Sequence, residues 1–160
     1  MELWQWLYDL SLSKIVRESF WVFPAVQCIH IYSMIALIAI LSAFDMRVMG
    51  FGMGGIASRR PISEFARAVL QWVWIPFIIN ATTGMLMFAS KAPEYRNNSA
   101  FVLKMFLIFF GMGYHVVLLR KATHWQDRLG MPVGVKVAGL PSLLVWVGVI
   151  AASRWIAYSY

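Results

Sequence analysis

Phe20–Phe44 reads FWVFPAVQCIHIYSMIALIAILSAF, a run without one charged side chain. About 20 apolar residues suffice for a helix to cross the hydrocarbon of a bilayer, so this stretch predicts a membrane span. Working outward, Ala68–Ser90 is also uncharged. About Ala100–Leu119 is broken only by Lys104, and about Val137–Tyr158 only by Arg154. The expected fold is an all-α membrane protein, a single domain with transmembrane helices over 20–45, 66–90, 100–120 and 137–158. Residues 1–19 are too polar to span. Leu3, Leu7 and Leu10 repeat at helical spacing beside Trp4 and Trp6, which predicts an amphipathic helix lying on the membrane surface.

Composition agrees. Apolar residues make up 61% of the 160 and charged ones 13%, outside globular proportions. The net charge of +7 does not imply nucleic-acid binding, because the basic residues flank apolar runs, where they orient a membrane protein. Arg47, Arg59, Arg60, Arg67, Arg120, Lys121, Arg128 and Lys136 fall on one side. Lys14, Arg17, Lys91 and Arg96 fall on the other, joined by Lys104 and Arg154 if those snorkel. This bias puts both termini outside the cytoplasm, with Trp21, Tyr95, Trp155, Tyr158 and Tyr160 as an aromatic belt on that side. The acidic start Met-Glu-Leu-Trp lacks a basic n-region, so the first span is expected to remain as a permanent helix. One cysteine, Cys28, supports no disulfide framework. The glycine-rich Gly50–Gly55 loop fits no phosphate-binding motif.

Local chemistry adds detail. Pro24 and Pro141 suit early helical turns, whereas Pro76 should kink its span, with Asn80, Thr82 and Thr83 satisfying the freed backbone groups. Asp45 and Arg47 cap the first span, and Arg120 or Lys121 is the expected partner of Asp45 in a clasp between helices.

Ionisable groups inside spans are costly and mark functional sites. His30, near mid-depth, is read as an axial ligand of haem or another metal, since a neutral imidazole suits a low-dielectric site. The alternative is a histidine bonded to a neighbouring helix. Met34 shares its face. Lys104 and His115 stand eleven residues apart, about three turns, and so share a face. Gly111 between them leaves room for a flat ring or a close helix contact. Lys104 and Arg154 are candidates for a haem propionate or a quinone oxygen, or they snorkel to the interface. His115 is a second iron ligand or a proton relay. Counting along the helices places it about 6 Å deeper than His30, so helix tilt would have to bring the two level. Met112, Met34 or water would otherwise complete the coordination. Met46, Met49 and Met53 could select Cu(I) or simply fill gaps. His124, beside Trp125, reads as an ordinary interfacial residue.

Ile15-Val-Arg-Glu-Ser-Phe-Trp-Val-Phe-Pro24, His30, Asp45-Met-Arg-Val-Met-Gly50, Pro76, Thr83-Gly84 with Phe88, Asn98–Lys104, Trp146 and Ser153-Arg-Trp-Ile-Ala-Tyr158 together resemble a family of small four-helix bacterial membrane proteins known as a domain of unknown function. A looser likeness extends to copper-resistance D membrane domains and to the haem-binding membrane protein that acts as protoporphyrinogen oxidase. That second group also pairs a first-span histidine with an arginine, as His30 and Arg47, and a lysine with a later Tyr-His, as Lys104 and Tyr114-His115. The likeness implies a haem b bundle. The expected function is therefore cytochrome-like electron transfer between a quinone and a partner membrane or periplasmic redox protein, or within a homo-oligomer. Copper transport, a haem-pathway oxidase and a cofactor-free anchoring subunit are the alternatives.

Overall fold

The computed structural model describes residues 3–51, 61–125 and 136–156, which include no β-strand. Met53, Arg59, Arg60, Arg128, Tyr158, Tyr160 and most of the Gly50–Gly55 loop lie outside them. Among the described residues the helices in order are α1 (Leu3–Asp9), α2 (Ser11–Glu18), α3 (Val22–Val48), α4 (Ile62–Trp72), α5 (Trp74–Ser90), α6 (Ala92–Tyr95), α7 (Ser99–Ala122) and α8 (Gly139–Ile156). With α4 and α5 taken together, four helical stretches are long and apolar enough to cross a membrane.

The second span is two helices because of Pro76. A proline lacks an amide proton, and its ring collides with the carbonyl four residues back, here that of Trp72. The helix accordingly ends at Trp72 and restarts at Trp74. Of the residues expected to repair this break, Thr82 and Thr83 donate to the Ile78 and Ile79 carbonyls of α5 rather than to that of Trp72, and Asn80 reaches across to α3. Asn98 starts α7 by accepting a bond from the Phe101 amide at 3.1 Å, which satisfies one orphan donor of the first turn.

The N-terminal segment is two helices rather than one. The chain turns at Leu10, where the Ser13 hydroxyl donates to the Leu7 carbonyl at 2.7 Å and the Arg17 guanidinium stacks 3.8 Å from the centre of the Tyr8 ring. α1 packs on α5 and α6, and α2 on α5 and α3, so these helices cover one end of the bundle.

In the bundle α3 pairs with α5, α7 pairs with α8, and α3 also touches α8. Glycines set the α7–α8 distance: a Cβ on Gly111 would stand 2.8 Å from Val145 Cγ1, and one on Gly148 3.3 Å from Leu107 Cδ1. Small residues permit such approach between membrane helices. Leu37, Leu41, Phe44 and Val48 form the buried stripe of α3 and meet Ala66, Val69, Leu119 and Val149 in the main core. Outward faces carry Ile31, Ile35, Ile78, Phe106 and Leu144, apolar surface that only a lipid solvent tolerates at this density. The close-packed core thus fills the half of the bundle away from the N-terminal helices.

Candidate functional site

The other half holds a cavity of about 380 Å³ between α3, α5, α7 and α8, within the range of about 300–1,000 Å³ typical of small-molecule sites. His30, Asn80, Lys104 and Trp146 supply its polar groups, and the remaining lining is aliphatic, aromatic or methionine. Met34 lines it too, as do Met85 and Met105 from the facing helices. At the end under α1 it is closed by aromatic rings. Phe88 stacks on Phe101 at 5.1 Å, Tyr95 stacks on Phe101 at 5.0 Å, and Trp4 meets Phe88 edge-on at 5.7 Å.

On its flank the cavity opens towards the lipid-facing surface. α4 packs against α7, whereas beyond the Pro76 break α5 packs on α3 and meets α7 through the Phe88–Phe101 stack. Met85 and Phe109 line the cavity from these two helices while remaining 61% and 71% exposed. The cavity is thus reachable from the lipid-facing side between Met85 and Phe109.

Hydrogen-bond accounting assigns the tautomer of His30. Its Nδ1 lies 3.1 Å from the Asn80 carbonyl and 3.0 Å from Thr83 Oγ1. A carbonyl only accepts, and the Thr83 hydroxyl proton is engaged by the Ile79 carbonyl at 2.7 Å. Nδ1 must therefore donate, which leaves the lone pair on Nε2. Around it, Asn80 Nδ2 donates to the His30 carbonyl at 2.9 Å, and the Ser33 hydroxyl donates to the same carbonyl at 2.9 Å. Gly84 completes the seat, since a Cβ there would lie 3.1 Å from His30 Cε1. An imidazole with one nitrogen donating to a carbonyl is the arrangement usually found behind a metal-binding histidine.

His115 occupies a different site. It lies more than four turns into α7, roughly 24 Å along the axis, against roughly 12 Å for His30 along α3. Trp146 Nε1 donates to His115 Nδ1 at 3.1 Å, Asp45 Oδ1 stands 3.2 Å from Nε2, and Ser142 Oγ lies 3.0 and 3.1 Å from the two nitrogens. Both ring nitrogens are engaged by protein groups and the ring is fully buried, so the expected second iron ligand is not available here. Gly111 is filled by α8 and makes a helix contact rather than space for a ring.

Two further expectations are corrected. Asp45 does clasp helices, but through His115, because Arg120 and Lys121 point outward and are exposed. Arg154 sits exposed on the last turn of α8 and does not line the cavity. Of the methionine trio, Met49 packs on Gly139 and Met46 is 40% exposed. Among the described residues no three His, Cys, Asp or Glu side chains converge as a metal site. The sequence reading did not single out Met105, Trp146 or Ser142 as site residues, nor Asn80 and Thr83 as partners of His30. The available signal was polar groups recurring on one face of an apolar helix, Asn80 and Thr83 above Gly84.

Residues 12–159 match a family of unknown function, DUF6644. The chain belongs to that family. No curated protein and no solved structure matches it. The matched residues of this DUF6644 member include all of α3 to α8, and hence every side chain of both polar sites, whereas α1 precedes them.

Proposed function

We propose that this is a haem b-binding membrane protein that transfers electrons between the quinone pool and a partner redox protein. The observation that carries the reading is the His30 tautomer: an Nε2 lone pair in a cavity wall, with Nδ1 tied to α5. If haem is held there, His30 and Met105 would be the side chains able to ligate its iron and Lys104, in the same cavity, would supply a cation for a propionate. The apolar lining excludes water, and the axial ligands with this burial would set the potential. When bound there, haem b would carry one electron at a time. The α5–α7 opening suits exchange with a lipid-soluble quinone. The sequence likeness to the haem-binding oxidase group supports the same cofactor, although only His30, Arg47, Lys104 and Tyr114-His115 carry it.

The Lys and Arg balance supports both chain ends lying outside the cytoplasm, which in the bacterial inner membrane implied by the family resemblance is the periplasmic side. His30 and Lys104 then lie towards the periplasmic half, so the partner is a membrane or periplasmic redox protein, or a second copy.

The test is the absorption spectrum of detergent-purified protein made with ample haem, air-oxidised and then reduced with dithionite. A Soret band with sharp reduced α and β bands is expected in wild type and in Cys28→Ser, and its loss in His30→Ala. A featureless wild-type spectrum would overturn the proposal and leave copper transport or an anchoring subunit, which metal analysis separates.

A further inference from the structure

The cavity has a polarity along the bundle that electron transfer does not require. Phe101, Lys104, Met105 and Ile108 follow one another along one face of α7, and all four line the cavity. Lys104 stands one turn below Phe101, whose ring is stacked under Phe88 and Tyr95. A lysine near a helix end ordinarily sends its charge to water at the nearer interface. Here aromatic rings occupy that end, and the half-buried lysine borders the cavity instead.

Among the described lining residues, Lys104 is the donor left to a ligand. The Trp146 indole N–H is given to His115 Nδ1 at 3.1 Å. Asn80 Nδ2 is given to the His30 carbonyl at 2.9 Å and to Ser33 Oγ at 3.3 Å. His30 Nδ1 donates to α5, and its Nε2 offers only a lone pair. A ligand oxygen therefore meets Lys104, and a compact ammonium suits a compact anion. The remaining walls, Met34, Leu37, Phe77 and Val149 among them, suit a hydrocarbon body.

Depth fixes the direction of such a ligand. Lys104 lies five residues into α7 and Phe109 ten residues in, about 8 and 15 Å from the end of the bundle under α1. Met85 lies five residues before the end of α5, again about 8 Å from that end. The opening between Met85 and Phe109 is thus level with the lysine or deeper, at the height of the hydrocarbon. A head at Lys104 with a chain leaving there points as a lipid points in its leaflet, head outward and tail inward. Such a molecule enters sideways without turning over. The aromatic roof leaves a large zwitterionic head no path to water, so the head is a small one.

We infer that the cavity binds a single-chain lipid carboxylate, its head on Lys104 beneath the Phe88–Phe101 stack and its chain leaving to the bilayer between Met85 and Phe109. One cation provides for one charge, and one lateral opening for one chain. The inference goes beyond the electron-transfer reading and needs no haem. A haem propionate and the lipid head would use the same lysine, so the two ligands exclude each other and the acid competes with haem for the site.

The test is photo-crosslinking of the full chain in phosphatidylcholine liposomes, using hexadecanoic acid with a mid-chain diazirine. The protein is made under haem limitation, so that it shows no Soret band. Peptide mass spectrometry should place the label on Met85, Met105 or Phe109. Excess hexadecanoic acid should suppress it and methyl hexadecanoate should not, since the ester carries no charge. Lys104→Met should lower labelling about tenfold through loss of a charge-assisted hydrogen bond, and Lys104→Arg should retain it. The comparison of acid with ester in wild type decides the matter if Lys104→Met does not fold. Label confined to lipid-facing Phe106 and Leu144, equal competition by acid and ester, or wild-type labelling in folded Lys104→Met would each overturn the inference. Acid labelling of a protein that shows no Soret band even with ample haem sinks the haem reading alone, and a haem spectrum without acid labelling sinks this one alone.

Discussion

Replacing Gly139 by alanine probes the contact that sets Asp45 in place. The added Cβ would stand 2.8 Å from Met49 Cγ and 2.9 Å from the Asp45 carbonyl oxygen, against an ordinary contact of 3.4–4 Å. Met49 is flexible and can turn aside. The carbonyl cannot, because it accepts the Met49 amide at 2.9 Å within the last turn of α3. α3 and α8 must therefore separate by about half an ångström, an overpacking that costs about 1–3 kcal/mol. Gly139 is the first residue of α8, where the mid-helix preference for alanine does not apply, so the net loss stays at about 1–3 kcal/mol. Gly113 is the internal control, since its Cβ would meet nothing within 4 Å. Gly113→Ala should therefore gain about 0.5–1 kcal/mol. The assay is loss of helical circular dichroism during SDS titration of the protein in dodecyl maltoside micelles. Opposite shifts of the midpoint are expected. A Gly139→Ala protein as stable as wild type, or two variants shifting in the same direction, would refute the packing argument.

The other predictions concern the two histidines. Thr83→Val removes one of the two oxygens at His30 Nδ1 and keeps the Asn80 carbonyl. Haem affinity, read by titrating the apoprotein with haemin, should fall about 10- to 100-fold, and unchanged binding would count against His30 as the ligand. His115→Ala strands the buried Asp45 and should cost about 3–5 kcal/mol in the SDS assay, whereas the Asp45→Leu, His115→Leu double variant should cost less. A double variant weaker than the single one would show that the pair is a net source of stability. His30→Ala carries the spectroscopic test of the haem site described above.

The helical spans were legible because crossing a bilayer is a one-dimensional requirement: enough consecutive apolar residues, whatever their partners. Pro76 was legible as a defect for a similar reason, since the clash of its ring with the Trp72 carbonyl is local to the chain. Lys104 and His115 sharing a face also followed from spacing alone, and Lys104 does line the cavity.

What only the tertiary structure decided is how the helices are rotated against one another and which side chains meet. Charge alone pairs Asp45 with Arg120 or Lys121. At about 100° per residue, however, those two lie roughly 140° and 120° around α7 from His115, which is the side chain turned inward. The same rotation joins His30 to Asn80 and Thr83, about 50 residues away in the chain. It also seats Trp146 against His115, which blocks a ring nitrogen that composition left open to iron. Apolar runs specify that a helix forms and crosses. The direction of each hydrogen bond inside the bundle depends on distances across helices, and these exist only once the helices have packed.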